Sequence, residues 1–194
     1  MRQLKIEKIK KKLRHHLDKD RYEHTLGVMY TAAALAMVYR TDINKALLAG
    51  LLHDCAKCIP GEKKVRLCEK YGLSVNQAEK KNPGLLHSKL GAYLAKAKYG
   101  VEDKEILDAI CYHTTGRPQM TLLDKIIYIA DYIEPNRCEA PNLEDARRMA
   151  FVDIDACLYM ILKDSLSYLE SKSLAIDPMT EKTFQYYQEE IMKM

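Results

Sequence analysis

Lys45-Ala46-Leu47-Leu48-Ala49-Gly50-Leu51-Leu52-His53-Asp54-Cys55-Ala56 is the stretch that decides the fold. Its leucine pairs recur four residues apart, the spacing of one apolar helical face. Thr41-Asp42 supplies the cap at its start, and His53-Asp54 stands at its far end. A carboxylate there is costly twice over. Burying it without a partner costs several kcal/mol, and the helix C-terminus already carries partial negative charge. A bound cation would resolve both problems. Side chains of neighbouring helical residues diverge by about 100°, and an ion lying between them can reach both.

The same helical signals run outward in both directions. Leu4, Ile6, Ile9, Leu13 and Leu17 form an apolar stripe with lysines between them, and the lysine face reads as solvated. Asp20-Arg21-Tyr22-Glu23 resembles a capping box opening an alanine-rich helix over about 22–39. Further helices are expected over 45–56, over 62–71 ending at Gly72, and in a short piece opened by Ser74-x-x-Gln77. Pro83-Gly84 marks a turn, and helices over 85–99, ending at Gly100, and 104–113 follow. Thr121-x-x-Asp124 caps 125–133, which must stop near Glu134 because Pro135 disfavours α geometry before it. Helices over 143–149 and 153–171, an irregular strip over 174–178 and a helix from about Glu181 complete the chain. No period-2 strand appears. With only 8 Gly and 6 Pro a turn-rich β-sandwich is disfavoured. The expectation is one all-α domain over 1–194 with roughly eight to ten helices joined by short loops.

Composition narrows the function classes. The chain has 194 residues, 47% of them apolar and 30% charged, the balance of a soluble globular protein. A net charge of +4 is too small to argue for nucleic acid. No run approaches the ~20 apolar residues of a membrane span, and MRQLKIEKIKKKLRHHL lacks the apolar core of a secretory signal. The six cysteines therefore read as free thiols of a cytoplasmic protein. Cys55-x-x-Cys58 has neither a βαβ context nor a second such pair, so it reads as incidental. His15-His16 reads as surface.

The other four of the six histidines fall on apolar helical segments: His24, His53, His87 after Leu85-Leu86, and His113 closing Ile106, Leu107 and Ile110. Asp131 ends the run Ile126-Ile127-Tyr128-Ile129-Ala130. Singly, each histidine reads as a satisfied core residue. Together with two carboxylates that have no structural reason for burial, they read as metal ligands. Nitrogen and oxygen donors without thiolate suit Fe, Mn, Zn or Co better than Mg.

The order His24, His53-Asp54, His87, His113, Asp131 resembles the HD-domain metal-dependent phosphohydrolases, whose motif is H…HD…D with two further histidines in the two-metal members. Longer stretches are similar to its YqeK branch, the bacterial symmetrical diadenosine tetraphosphate hydrolases. They are Arg21-Tyr22-Glu23-His24-Thr25-Leu26-Gly27, His53-Asp54-Cys55-Ala56-Lys57, Leu85-Leu86-His87, His113-Thr114-Thr115-Gly116 and Asp131-Tyr132-Ile133-Glu134-Pro135-Asn136-Arg137. The resemblance runs over about 13–187.

It implies a compact helical bundle with the metal site among its central helices, an HD core over about 20–135, and C-terminal helices over 143–194 closing a nucleotide site. It implies iron in a two-metal centre, with Mn, Co or Zn as substitutes. His24, His53, Asp54 and Asp131 would hold the first metal, Asp54 would bridge, and His87 and His113 would complete the second site. The implied reaction converts diadenosine tetraphosphate to two ADP through a metal-activated hydroxide, with Asp54 and Lys57 as catalytic residues. Besides His24, Asp54, His87, His113 and Asp131, the substrate would meet Arg21, Thr114, Arg137 and the strip Leu174-Ala175-Ile176-Asp177-Pro178-Met179. Arg21 and Lys57 each lie one helical turn from a ligand, where a phosphate contact is the natural use of the charge. Arg117 and Lys125 are weaker candidates. One or two of the 13 tyrosines could stack on adenine. No nucleic-acid or membrane partner is expected, and whether the chain is a homodimer stays open. Two competitors remain: a related phosphohydrolase on a nucleoside monophosphate, cyclic dinucleotide or guanosine alarmone, and a non-enzymatic helical module without a metal.

Overall fold

The computed structural model describes residues 2–193, with side chains from Ile6 onward, so the Leu4 side chain falls outside the described residues. Among these residues the structure is helical throughout. Its elements are α1 (Arg2–His16), α2 (Lys19–Val38), α3 (Ile43–Leu52), α4 (Gly61–Lys70), α5 (Gln77–Lys81), a 3-10 turn (Pro83–Leu85), α6 (Leu86–Tyr99), α7 (Lys104–Tyr112), α8 (Leu122–Ile133), α9 (Leu143–Met149), α10 (Ile154–Ser171) and α11 (Pro178–Met192). That is one α-helix more than the upper end of the expected count.

Several ends lie where the local chemistry places them. Asp42 accepts from the backbone N–H groups of Asn44 and Lys45 and starts α3. Thr121 and Asp124 form a reciprocal capping box on α8. Gly72 and Gly100 close α4 and α6 with positive φ, where a Cβ would be strained. Other ends correct the reading of the sequence. The cap of α2 is Asp18, not Asp20, because Asp18 Oδ1 accepts from Arg21 N at 2.8 Å. The short helix α5 is opened by Asn76 with Glu79, not by Ser74, each side chain capping the other's backbone N–H. Helix α11 begins at Pro178 rather than near Glu181, since Asp177 caps it and proline is well placed in a first turn. Helix α3 stops at Leu52, and the chain then turns tightly, with Cys55 N donating to Leu52 O at 3.1 Å and Lys57 N to Asp54 O at 2.9 Å.

Helix α3 packs against α2, α7 and α8, α2 and α7 each also pack on α8, α6 lies against α7, and α9 and α10 also contact α8, with α11 on α10. Helix α8 is buried on nearly all faces by Leu123, Ile126, Ile127, Ile129 and Ile133. Each such side chain contributes about 1.5–3 kcal/mol through removal from water. Helices α2 and α3 meet at Gly50, where a Cβ would lie 2.9 Å from Met29 Cα. Only glycine permits that approach, and it sets the spacing between His24 on α2 and His53 at the end of α3. No helix among the described residues is long and apolar enough to cross a membrane.

Candidate metal centre

The six proposed ligands meet from five helices, with His53 and Asp54 sharing the C-terminal end of α3. His53 is the C-terminal cap of α3 and His113 that of α7. His87 lies in the first turn of α6, His24 on α2 and Asp131 in the last turn of α8. Helix ends leave backbone carbonyls without partners. Two of the rings use carbonyls of this kind, His53 Nδ1 donating to Gly50 O and His113 Nδ1 to Ile110 O, each at 2.7 Å, while His87 Nδ1 donates to Gly84 O of the 3-10 turn before α6 at 2.6 Å. His24 Nδ1 instead meets Glu134 Oε1 at 3.1 Å. Carbonyls and carboxylates only accept, so Nδ1 carries the hydrogen in all four rings and Nε2 is left as a lone-pair donor.

Those four Nε2 atoms converge on two carboxylates. Asp54 Oδ2 stands 3.5 Å from His53 Nε2 and 3.8 Å from His24 Nε2. Asp54 Oδ1, on the opposite side, stands 3.1 Å from His87 Nε2 and 3.7 Å from His113 Nε2. Asp131 Oδ1 lies 3.0 Å from His24 Nε2 and 3.9 Å from His53 Nε2. Donors held about 2.1 Å from one ion are about 3.0–3.4 Å apart, close to this spacing. The carboxylate of Asp54 thus faces two donor sets, His24–His53–Asp131 and His87–His113, one oxygen to each.

The donor set fits cations. His24 Nε2, His53 Nε2 and Asp54 Oδ1 are buried with no hydrogen-bond partner, a costly state for polar atoms unless an ion satisfies them. His87 and His113 confront each other Nε2 to Nε2 at 3.1 Å, an arrangement that two lone pairs do not favour alone and a shared cation does. Burial alone would push the Asp54 carboxyl up, but the rings of His53, His113 and His87 packed around it hold it well below the usual carboxylate range. At Asp131 burial likewise pushes upward and is outweighed by the facing rings of His24, His53 and His113, which hold the carboxyl well below the usual carboxylate range. Burial pushes His87 down to about 4, against the pull of Asp54, so its ring is neutral and ready to ligate.

The basic residues ring this cluster. Arg21 Nη1 donates to Asp54 Oδ2 at 2.8 Å. Lys57 Nζ sits 3.2 Å from His87 Nε2 and 3.9 Å from Asp54 Oδ1. Arg137 Nη2 donates to Asp131 O at 3.0 Å and lies 3.2 Å from its Oδ1. All three keep about a third of their side chains exposed to solvent. Arg117 and Lys125 stand elsewhere: Arg117 bonds Asp124 and Asp108, and Lys125 pairs with Asp155. Both are structural ion pairs.

Two open cavities flank the cluster. One, of about 560 Å³, is lined by Leu85, Tyr128, Tyr132, Ile161, Tyr168 and Leu169, and includes His113, Thr114, Asp131 and Arg137 in its wall. The other, of about 760 Å³, is lined by Asp18, Asp20, Glu23 and Glu139 together with Arg21, His24 and Arg137. Thr114 Oγ1 is buried and without a partner at the first. Of the strip 174–179, Ala175 and Asp177 line that cavity. The oxygens of Asp177 are already taken, Oδ1 by Met179 N at 2.8 Å and Oδ2 by Asn76 Nδ2 at 2.7 Å. Leu174, Ile176, Pro178 and Met179 are not among its lining residues. The residue that sequence reasoning missed is Glu134, buried against His24. Its place before Pro135 reads as a helix stop, and the only local hint was an acid following an apolar helix.

Cys55 is buried and Cys58 exposed, both as free thiols, and His15 and His16 are exposed.

Comparison with known proteins agrees with the geometry. The HD domain family model matches residues 21–136, more than half of the chain. The symmetrical bis(5'-nucleosyl)-tetraphosphatase of Bacillus subtilis (strain 168) is 40% identical over 174 residues, covering 90% of this chain and 92% of that protein. Its namesake from Staphylococcus aureus (strain NCTC 8325 / PS 47) is 38% identical and covers 95% of each chain. A crystal structure from Clostridium acetobutylicum, described as a predicted HD superfamily hydrolase involved in NAD metabolism, is 41% identical with a TM-score of 0.91, covering 95% of this chain and 97% of that one. A family match of this extent, carried by ligands that meet in space, means that the chain belongs to the HD-domain family, close to its symmetrical bis(5'-nucleosyl)-tetraphosphatases.

Proposed function

We propose that this chain is a metal-dependent phosphohydrolase that cuts diadenosine tetraphosphate symmetrically into two ADP. The observation that carries the reading is the pair of cavities meeting at the ligand cluster, one sharing His113 and Asp131 with it and the other His24. A phosphate chain with a nucleoside at each end fits such a layout, with the middle phosphates over Asp54. The relatives named as symmetrical tetraphosphatases at about 40% identity support it.

His24, His53, Asp54 and Asp131 would hold one cation, and Asp54, His87 and His113 a second. Iron is the resident metal on this reading, with Mn, Co or Zn as substitutes. When bound, the cations supply Lewis-acid charge and a hydroxide near neutral pH. The chain's own groups do the rest. Arg21, Lys57 and Arg137 offer positive charge to the phosphates and to the oxyanion that leaves, where it counts most in the transition state. Arg21 and Arg137 are already aimed by Asp54 and Asp131. The free hydroxyl of Thr114 donates to a phosphoryl oxygen. One nucleoside lies in the apolar cavity, with Tyr168, half exposed at its wall, stacked on the base. Helices α9 to α11, between Leu143 and Met192, close this nucleotide site around the HD core of about 20–135. Among the strip residues, Ala175 and the backbone held by Asp177 contribute shape rather than charge.

Turnover measured across a panel of diadenosine tetraphosphate, nucleoside monophosphates, a cyclic dinucleotide and guanosine tetraphosphate tests this. The dinucleoside tetraphosphate is expected to be hydrolysed fastest. A faster rate on any of the others would move the reading to a different branch of nucleotide hydrolysis, since one metal centre can serve many phosphoesters.

A further inference from the structure

We propose that Glu134 is a positioning residue of the metal centre, that it fixes the His24 ring, and that Gly27 and Arg147 serve to hold it there. This rests on the metal-site reading above and goes beyond the ligands themselves.

The need for Glu134 follows from where His24 sits. His53, His87 and His113 each find a carbonyl acceptor three residues back, beside a helix end. His24 lies inside α2, where the carbonyls of the preceding turn are engaged in the helix. Its Nδ1–H must find an acceptor elsewhere, and Glu134 Oε1 supplies it at 3.1 Å from 110 residues away in the chain. With Nδ1 pinned, Nε2 faces Asp131 and Asp54. A carboxylate partner also makes an imidazole a stronger donor than a carbonyl partner does.

Burying Glu134 at 1% exposure is costly, and three features of the chain accommodate it. Asn136 N donates to Oε2 at 2.8 Å. Gly27, one turn along α2 from His24, leaves the space: a Cβ there would stand 2.3 Å from Glu134 Oε2. Gly27 sits in the middle of α2 without a positive φ. A glycine there weakens the helix, and the room for the carboxylate is what it provides in return. Arg147 on α9 then pins the segment, its Nε donating to Ile133 O at 3.0 Å and its Nη2 to Glu134 O and Arg137 O, each at 2.9 Å. The same guanidinium satisfies carbonyls at the end of α8 and fixes the turn that presents Arg137 to Asp131. Helix α9, outside the ligand set, therefore sets the pose of one ligand and one phosphate-binding arginine.

The test is Mn²⁺ binding to full-length apoprotein, read by competition with a chelating indicator, for wild type, Glu134→Gln, Glu134→Ala and Gly27→Ala, with helicity by circular dichroism alongside. Glu134→Gln keeps the shape and an acceptor oxygen, and is expected to bind about 10-fold more weakly with unchanged helicity. Glu134→Ala and Gly27→Ala are expected to approach a 100-fold loss, the upper end for a partner of a metal-bound histidine. Wild-type Mn²⁺ affinity in Glu134→Ala would overturn the proposal alone. Equal losses in Gln and Ala variants, matched by equal losses of melting temperature, would also overturn it, since they would mark a packing role. A wild-type chain that binds no Mn²⁺ would sink the metal-site reading and this proposal with it.

Discussion

Gly50→Ala puts the helix-spacing argument at most risk. The added Cβ would lie 2.9 Å from Met29 Cα and 3.2 Å from both Met29 N and Val28 O. Carbon atoms rest at about 3.5–4.0 Å, so α2 and α3 must separate by roughly 0.6–1 Å. The obstructing atoms are backbone, and no side chain can swing aside to absorb the strain. Overpacking of this kind costs about 1–3 kcal/mol. Opposing it, alanine gains about 0.5–1 kcal/mol of helix stability over glycine. At the midpoints of these ranges the clash wins by about 1 kcal/mol. For a chain of this size each kcal/mol moves the melting temperature by roughly 2–4 °C, so a fall of about that size is expected. The activity effect is larger, because His24 and His53 ride on the two helices being pushed apart. A misplacement of about 1 Å can cost about 100-fold in rate. Thermal melts and ADP release measured on the same preparation check both. A raised melting temperature with full activity would mean that helix propensity outweighs the clash, and the reasoning would be refuted.

Asp54→Ala is expected to abolish metal binding and turnover while the helical circular dichroism persists; turnover in that variant would remove Asp54 from the centre. Lys57→Ala and Arg137→Ala should each keep the metal and lose about 100-fold in rate, and loss of metal instead would make them structural. Tyr168→Ala should raise KM several-fold with metal content unchanged, and an unaltered KM would take that ring away from the base. Iodoacetamide at neutral pH should label the exposed Cys138 and Cys58 first. Cys55 and Cys157, buried and each pushed up to about 12 by that burial, should stay unlabelled until the chain unfolds, as mass mapping would show.

The parts of this molecule legible in its sequence are those whose causes are local. Asp42, Thr121 with Asp124, Gly72 and Gly100 mark helix ends through bonds or dihedrals spanning a few residues. The cluster of His24, His53, Asp54, His87, His113 and Asp131 is legible because charged or polar residues on apolar helical faces conflict with their surroundings. Less legible was anything decided by competition. Asp18 and Asp20 are equally plausible caps on paper, and the one that bonds Arg21 N prevailed. Arg117, a weaker phosphate candidate on sequence, is taken up by Asp108 and Asp124 in the fold. Asp177 lines the apolar cavity, but the partner that holds its carboxylate, Asn76, lies 101 residues away in the chain. Glu134 is the strongest case, since its partner His24 lies 110 residues upstream and no spacing rule reaches that far.

The central claim is a two-site transition-metal centre that cuts a dinucleoside tetraphosphate in its middle. The most direct test is chromatographic identification of the products from diadenosine tetraphosphate, on anaerobically purified protein whose metal content is measured in the same sample. The account predicts bound transition metal and two ADP per substrate consumed. AMP with ATP as products, or undiminished turnover by metal-free protein, would contradict it.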